Sequence, residues 1–336
     1  MRHCHVAVIG ATGAVGQEIL QLLEERDFPL TRLTLLASGR SAGTRLEFRH
    51  QSHMVHVLTA EALQAVDLAF FAANAEASQA FAPLVAEGGG VAIDCSGAFR
   101  CDPAVPLCLP AINAAVLPRR GGIVALPHSI TTQVALVLAP LHAVVPLRRV
   151  LVTTYQSVSG LGRRAVQAFD QQVRDLLNFR PVQPRFLPVQ MAFNCIPQCG
   201  AFTDTGYTED EMAVMQELPR LLAAPDLAVA ATAVLVPLAH SHAAVVSAEL
   251  AAPLAVDTAR QQLQQAPGVV VEDDWQRQRY PSTLRANGQD AVFVGRLRAD
   301  PTSPNRLHLW VVADNLRRGA ALGAVQVAER LLAGQG

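Results

Sequence analysis

The chain has 336 residues and a formal net charge of −1, a balance that excludes a basic nucleic-acid-binding surface. All 27 basic side chains are Arg, with no Lys, so Schiff-base chemistry on Lys and a P-loop are excluded as well. The length suits about two domains, each with an ample core.

Six cysteines stand at 4, 95, 101, 108, 195 and 199. None forms Cys-x-x-Cys and no His/Cys cluster has zinc-finger spacing, so reduced thiols of a cytoplasmic protein are expected and no metal site. The chain starts MRHCHVAVIGATG, running into a glycine-rich turn and not into the apolar core of a signal peptide. The longest apolar run, 227–239, contains Pro237 and falls short of the roughly 20 residues that cross a membrane. No membrane association is expected.

In chain order, residues 5–9 read as a short apolar strand. Gly10, Ala11, Thr12, Gly13, Ala14, Val15 and Gly16 follow, and 17–25 reads as an amphipathic helix. Strand, glycine turn, helix is the context of a dinucleotide fingerprint, in the G-x-x-G-x-x-G variant. The glycines let the backbone approach a pyrophosphate at a helix N-terminus. A tight turn without ligand is the plainer alternative.

The next strand, 33–37, ends in Ser38, Gly39, Arg40 and Ser41. An NAD enzyme usually places an acidic residue there for the ribose 2′-hydroxyl. Arg40 between two serines favours a 2′-phosphate, hence NADP, against the alternative of a solvated Arg in a turn. Strands at 68–71, 91–94 and 123–126, with a helix at 75–86, continue a doubly wound parallel sheet.

Residues 123–141, IVALPHSITTQVALVLAPL, place Ser129 at a strand-to-helix turn. Unpaired backbone N–H groups gather at such a helix start. Ser129 there is either a plain helix cap or a reacting group. Beyond it the pattern changes: a strand at 150–157, a helix at 163–177, a Pro-rich loop, and strands at 233–238, 244–250, 291–297 and 306–313. A last helix, 320–332, can return to the first domain. The fold class is α/β: a Rossmann-type dinucleotide-binding domain (1–128 and 314–336) plus an α+β dimerisation and substrate domain (129–313).

The stretches VIGATGAVG (8–16), LASGRSAG (36–43), IDCSGAFR (93–100), TYQSVSG (154–160), FNCIP (193–197), GYTEDEM (206–212), VFVGRL (292–297) and WVVADNLRRGAA (310–321) together resemble the aspartate-semialdehyde dehydrogenase family. They occur in the family's order and cover nearly the whole chain. The resemblance implies an NADP-dependent oxidoreductase of amino-acid biosynthesis, working as a homodimer on a small-molecule substrate. In that family a Cys thiolate attacks the acyl carbon, hydride transfer resolves the adduct, and a His serves as acid/base. One Arg holds the substrate carboxylate; an Arg and a Lys hold phosphate.

Carried over by position, the nucleophile loop Asn-Pro-Asn-Cys-Ser-Thr falls on Leu126, Pro127, His128, Ser129, Ile130 and Thr131, so Ser129 replaces the thiol. The motif Arg-Val-Pro-Val-x-x-Gly-His falls on residues 235–242. It puts Leu235 at the clamp Arg and His242 at the acid/base; a two-residue slip would offer His240. The phosphate Lys falls on Ala213. By resemblance, Gln156 joins Ser129 and His242 at the reaction centre, and Arg100 faces substrate. The cofactor set is Gly10, Thr12, Gly13, Ala14, Val15, Gly16, Ser38, Arg40, Ser41, Ser159, Gly160 and Asn315. The chain reads as a paralogue, a pseudoenzyme with the family's dehydrogenase activity lost. An active NADP-dependent oxidoreductase on an aldehyde or acyl substrate, aspartate semialdehyde itself included, is the alternative. A Ser129–His242 hydrolase is the third reading.

Overall fold

The computed structural model describes residues 4–184 and 186–334. The chain forms two compact units. One comprises the chain as far as His128 and again from Ala320 onward; the other is Ser129–Gly319.

In the first unit the elements are β1 (Cys4–Ile9), α1 (Ala14–Glu25), β2 (Leu30–Ala37), β3 (Arg45–Phe48), β4 (Gln51–Val57), β5 (Leu68–Phe71), α2 (Ala75–Glu87), β6 (Val91–Asp94), α3 (Pro110–Asn113) and β7 (Gly122–Ala125), with a C-terminal helix, Leu322–Ala333. The sheet order is β3-β4-β2-β1-β5-β6-β7. All neighbours are parallel except the β3–β4 hairpin. Side-chain alternation along β1 feeds two cores. Val6 and Val8 enter one with Leu22, Leu23 and Val325. Ala7 and Ile9 enter the other with Ala82 and Val85 of α2. The strands β5 (LAFF) and β6 (VAID, apolar up to Asp94) are buried residue for residue, as a sheet covered on both faces requires.

The second unit holds α4 (Ser129–Val144), β8 (Leu147–Gln156), α5 (Arg163–Leu177), α6 (Glu209–Leu221), β9 (Ala228–Leu235), β10 (His242–Leu250), α7 (Val256–Gln265), β11 (Val269–Val271), α8 (Thr283–Ala286), β12 (Val292–Asp300) and β13 (Ser303–Ala313). Its mixed sheet runs β11-β12-β13-β10-β8-β9. Helix α4 is buried from Ile130 through Leu138 and packs against α6, α7 and β10, which explains an apolar sequence on every side of it. Helix α6 starts from a capping box: Thr208 accepts from the Glu211 N–H, and the Glu211 carboxylate accepts from the Thr208 N–H.

Among the features that depart from the sequence expectation, three are informative. The β3–β4 hairpin turns through Arg49 and His50 at φ 49° and 59°, without the Gly or Asn that normally marks such a turn. Strand β9 begins at Ala228, five residues before the expected 233, because its Ala-rich start carries little strand signal. Residues 314–319, expected in the first domain, belong to the second unit. There Asp314 accepts from the Gly288 N–H, and Asn315 accepts from the Ser241 N–H.

Candidate functional site

In the first unit, β1 ends at Ile9 and the chain turns at Gly10, φ 79°. A Cβ on Gly10 would lie 2.4 Å from the Ala72 carbonyl oxygen, and one on Gly16 would lie 2.3 Å from the Gly10 oxygen. Neither position has room for a side chain. Gly13 stands at the N-cap of α1, and no side chain makes a capping hydrogen bond there. Thr12, Ala14 and Val15 are half-buried around it. The turn therefore offers helix N–H groups and close backbone approach, the shape and polarity that a pyrophosphate takes. Ser38 and Arg40 are exposed and Ser41 half-buried in a turn after β2, closed by the Ser41 N–H on the Ser38 carbonyl at 2.9 Å.

Arg100 lies in the same unit. Its Nε donates to the Leu126 carbonyl at 2.9 Å, and a terminal N–H donates to the Cys95 carbonyl at 3.0 Å. It thus ties the ends of two strands at the carboxyl edge of the sheet, where open α/β sheets bind ligands.

In the second unit Ser129 is the first residue of α4, half-buried. It is a helical residue and not the cap, a difference of one position. The helix start is held by a single turn of π-helix, Arg317–Ala321. Thr132 Oγ1 donates to the Gly319 carbonyl at 3.3 Å. A Cβ on Gly319 would fall 2.6 Å from the Ser129 Cβ. Position 319 is glycine because Ser129 lies against it. π-turns of this kind recur at functional sites.

His242 opens β10 and is buried. Its Nδ1 accepts from the Ser157 N–H at 3.0 Å, with Ser157 Oγ at 3.2 Å. Ser157 Oγ lies 3.0 Å from Ser159 Oγ. Asn315 Oδ1 accepts from Ser159 Oγ and from the Ser241 N–H, each at 3.0 Å. Gly160 stands at the other edge of the ring, where a Cβ would meet His242 Nε2 at 3.2 Å. The structure thus gathers His242, Ser159, Gly160 and Asn315, all expected from the sequence. His240, the alternative, is exposed. Gln156 is buried at the end of β8, and its amide donates to Thr154 Oγ1 at 3.4 Å. Sequence reasoning missed Ser157, Ser241 and Gly319. Ser241, where the family motif carries Gly, has φ 67° and a buried hydroxyl without a hydrogen-bond partner, so the departure from Gly at that position was the available signal.

The positions that depart from the family's pattern are built differently. Leu235 is buried in an apolar cluster with Phe169, Met191, Ile196 and Ala233. Ala213 is half-buried on α6. No other thiol stands in for Ser129 among the four cysteines that burial affects. Burial pushes Cys4 up to about 11 and Cys108 up to about 12. It pushes Cys95 and Cys199 further in the same direction, with nearby carboxylates adding to it. These sulfurs are protonated at neutral pH and poor nucleophiles. Among the described residues no group of His, Cys, Asp and Glu has the arrangement of a metal site, and no helix is long and apolar enough to cross a membrane.

The chain matches the family model "Semialdehyde dehydrogenase, NAD binding domain" over residues 5–119 and "Semialdehyde dehydrogenase, dimerisation domain" over 138–318. It is 43% identical to the aspartate-semialdehyde dehydrogenase of Bacillus subtilis, over 98% of each chain. The chain belongs to the aspartate-semialdehyde dehydrogenase family. It is also 42% identical to the Synechocystis enzyme of that name over 97% of each chain. The solved structure of Vibrio cholerae aspartate semialdehyde dehydrogenase II in complex with ASA superposes with a TM-score of 0.94 at 39% identity, covering 99% of both chains. The fold is therefore the family's: a dinucleotide-binding α/β unit followed by a mixed-sheet dimerisation unit. Dinucleotide binding is a property of the family that the glycine turn of this chain fits.

Proposed function

We propose that this protein is a family member that binds NADP and has lost phosphate-dependent oxidation of aspartate semialdehyde. The observation that carries the reading is Ser129 at the head of α4, in the position of the family's nucleophilic thiol. A serine hydroxyl is far less ionised than a thiol near neutral pH, and an oxyester is a poorer hydride acceptor than a thioester. Leu235 supports the reading, because an apolar cluster fills the position from which an Arg would hold a substrate carboxylate. Ala213 supplies no cation for phosphate. The test is NADPH formation from aspartate semialdehyde, NADP and phosphate. The native protein is expected to show none, and Ser129→Cys at most weak turnover, because positioning contributes separately from nucleophilicity. Robust native turnover abolished by Ser129→Ala would overturn the reading.

The cofactor residues are Gly10, Thr12, Gly13, Ala14, Val15 and Gly16 around the pyrophosphate. Ser38, Arg40 and Ser41 meet the 2′-phosphate, and Ser159, Gly160 and Asn315 are the further cofactor residues that the family resemblance implies. When bound, NADP supplies a hydride acceptor. A guanidinium at Arg40 and no carboxylate in its turn favour the 2′-phosphate form. Calorimetry should give tighter binding of NADP than of NAD; equal affinities, or tighter NAD, contradict the preference.

The protein works as a homodimer in the cytoplasm on this reading. The matched dimerisation domain supports it, as does a groove of about 650 Å3 on the sheet of the second unit, lined by Tyr155, Leu238, Val245, Tyr280 and Trp310. A monomer at micromolar concentration in sedimentation would contradict it. A second reading keeps an oxidoreductase active on an uncharged aldehyde, favoured by the apolar surroundings of Leu235. NADP reduction across a panel of apolar aldehydes separates the two.

A further inference from the structure

The hydrogen bonds around His242 have a direction, and the direction has a chemical consequence. The Ser157 N–H is a donor that cannot reverse. It points at His242 Nδ1 across 3.0 Å, so Nδ1 must present its lone pair. A neutral imidazole carries one proton, which then sits on Nε2. The hydroxyls beside it form a chain of their own and leave the assignment to the backbone donor. Asn315 Oδ1 accepts from Ser159 Oγ and the Ser241 N–H. Ser159 Oγ, having donated, is left to accept from Ser157 Oγ at 3.0 Å. The hydrogen-bond chain runs from Ser157 through Ser159 into the Asn315 carbonyl. The opposite tautomer would set the Nδ1 proton against the Ser157 N–H in a buried site.

We propose that Ser157, through its backbone N–H, holds His242 as the neutral Nε2–H tautomer, so that His242 carries its proton on the nitrogen nearest Gly160 and does not act as a base for Ser129. The nitrogen nearest Gly160 is Nε2: it and Cε1 are the atoms that a side chain at 160 would meet, at 3.2 and 3.3 Å. A base that activates a serine hydroxyl needs a lone pair on the nitrogen facing it. With Nε2 protonated and Nδ1 engaged, His242 has none to offer. The Ser129–His242 hydrolase reading therefore fails on the geometry of one member of the pair.

The test is a long-range proton–nitrogen correlation spectrum of the full-length protein labelled with 15N-histidine, recorded at pH 8.5. The His242 signals are assigned by their loss in His242→Gln. The expected pattern is a pyridine-like Nδ1 and a pyrrole-like Nε2. It should persist in Ser157→Ala, which keeps the backbone donor and removes the hydroxyl. A pyridine-like Nε2, a doubly protonated ring at that pH, or reversal in Ser157→Ala overturns the proposal. A second arm uses a fluorophosphonate probe of activated serines. No labelling of Ser129 is expected; labelling that His242→Gln abolishes would show a base at work and sink the assigned role. Neither arm measures dehydrogenase turnover, so each can fail while the functional reading stands.

Discussion

The glycine turn of the first unit and the 235–242 segment of the second are built to opposite tolerances. In the first, Gly10 and Gly16 face backbone oxygens at distances no Cβ can occupy, and the sequence obeys that restriction. In the second, the family's Arg has become Leu235, inside an apolar cluster. Its Gly has become Ser241, in a left-handed conformation with a buried hydroxyl. The first region keeps its residues for a steric reason that holds with or without chemistry. The second could change its residues without losing the strand pair that carries them, because β8 and β9 pair from Arg149↔Ala228 to Gln156↔Leu235 through backbone alone. Scaffold and site are thus separable within one fold, and on the proposed reading the substitutions fall on the chemistry.

The largest effect should come from Gly10→Ala. The left-handed φ costs about 1–2 kcal/mol, and overpacking against Ala72 adds typically about 1–3 kcal/mol, for a total of about 4 kcal/mol. Thermal unfolding should show a fall in Tm, and calorimetry a loss of NADP affinity of at least about tenfold. If both stay at native values, the turn relaxes and its rigidity is not what separates the two regions.

Next comes Leu235→Arg, which restores the family's residue to the second region. An uncompensated guanidinium among Phe169, Met191 and Ile196 should cost about 3 kcal/mol. The variant is expected to lose stability and gain no turnover with aspartate semialdehyde, alone or with Ser129→Cys. Unchanged stability together with recovered turnover would show that the cluster opens to receive the charge, and that the second region is as preserved as the first.

Legibility from the sequence follows the same division. The expected strands at 68–71 and 91–94 coincide with β5 and β6, because a strand buried on both faces is a short apolar run with polar ends. The turn from β1 into α1 was legible because steric exclusion leaves glycines as its trace. The β3–β4 hairpin was not, since Arg49 and His50 adopt positive φ without the residues that announce it. At the candidate site, the resemblance singled out Ser129, His242, Ser159 and Asn315, and the structure links His242, Ser159 and Asn315 through Ser157. Ser157 was missed because it acts through its backbone N–H, which every residue but proline has. Gly319 was missed because its partners lie far away in the chain: 187 residues separate it from Thr132, on the helix that Ser129 opens. No local pattern records such a contact.

Gly319→Ala tests whether the second region keeps any steric restriction of the first region's kind. The new methyl would fall 2.6 Å from the Ser129 Cβ and 3.2 Å from its Cα. Neither is the far end of a flexible side chain, so the start of α4 or the π-turn has to move. The expected cost is about 2 kcal/mol, within the range of overpacked sites. Hydrogen exchange should quicken at the first turn of α4 and at 317–321. Native exchange rates there would mean that the two segments yield independently.

The smallest effect has the opposite sign. Ser241 holds φ 67° without being glycine and buries a hydroxyl that has no hydrogen-bond partner. Ser241→Gly removes both burdens: about 1–2 kcal/mol of left-handed strain and about 1 kcal/mol or more for the unsatisfied polar group. Against these stands the greater freedom of glycine in the unfolded chain, about 0.5–1 kcal/mol. The net gain should be about 1 kcal/mol, seen as a raised Tm. The backbone N–H of residue 241 remains, so its bond to Asn315 Oδ1 and the His242 arrangement should persist. The Nε2–H pattern of His242 should therefore be the same in the variant. A lower Tm would mean that the hydroxyl has a partner in solution, for which bound water is the simplest candidate. In that case the serine would be a substitution that its surroundings have accommodated.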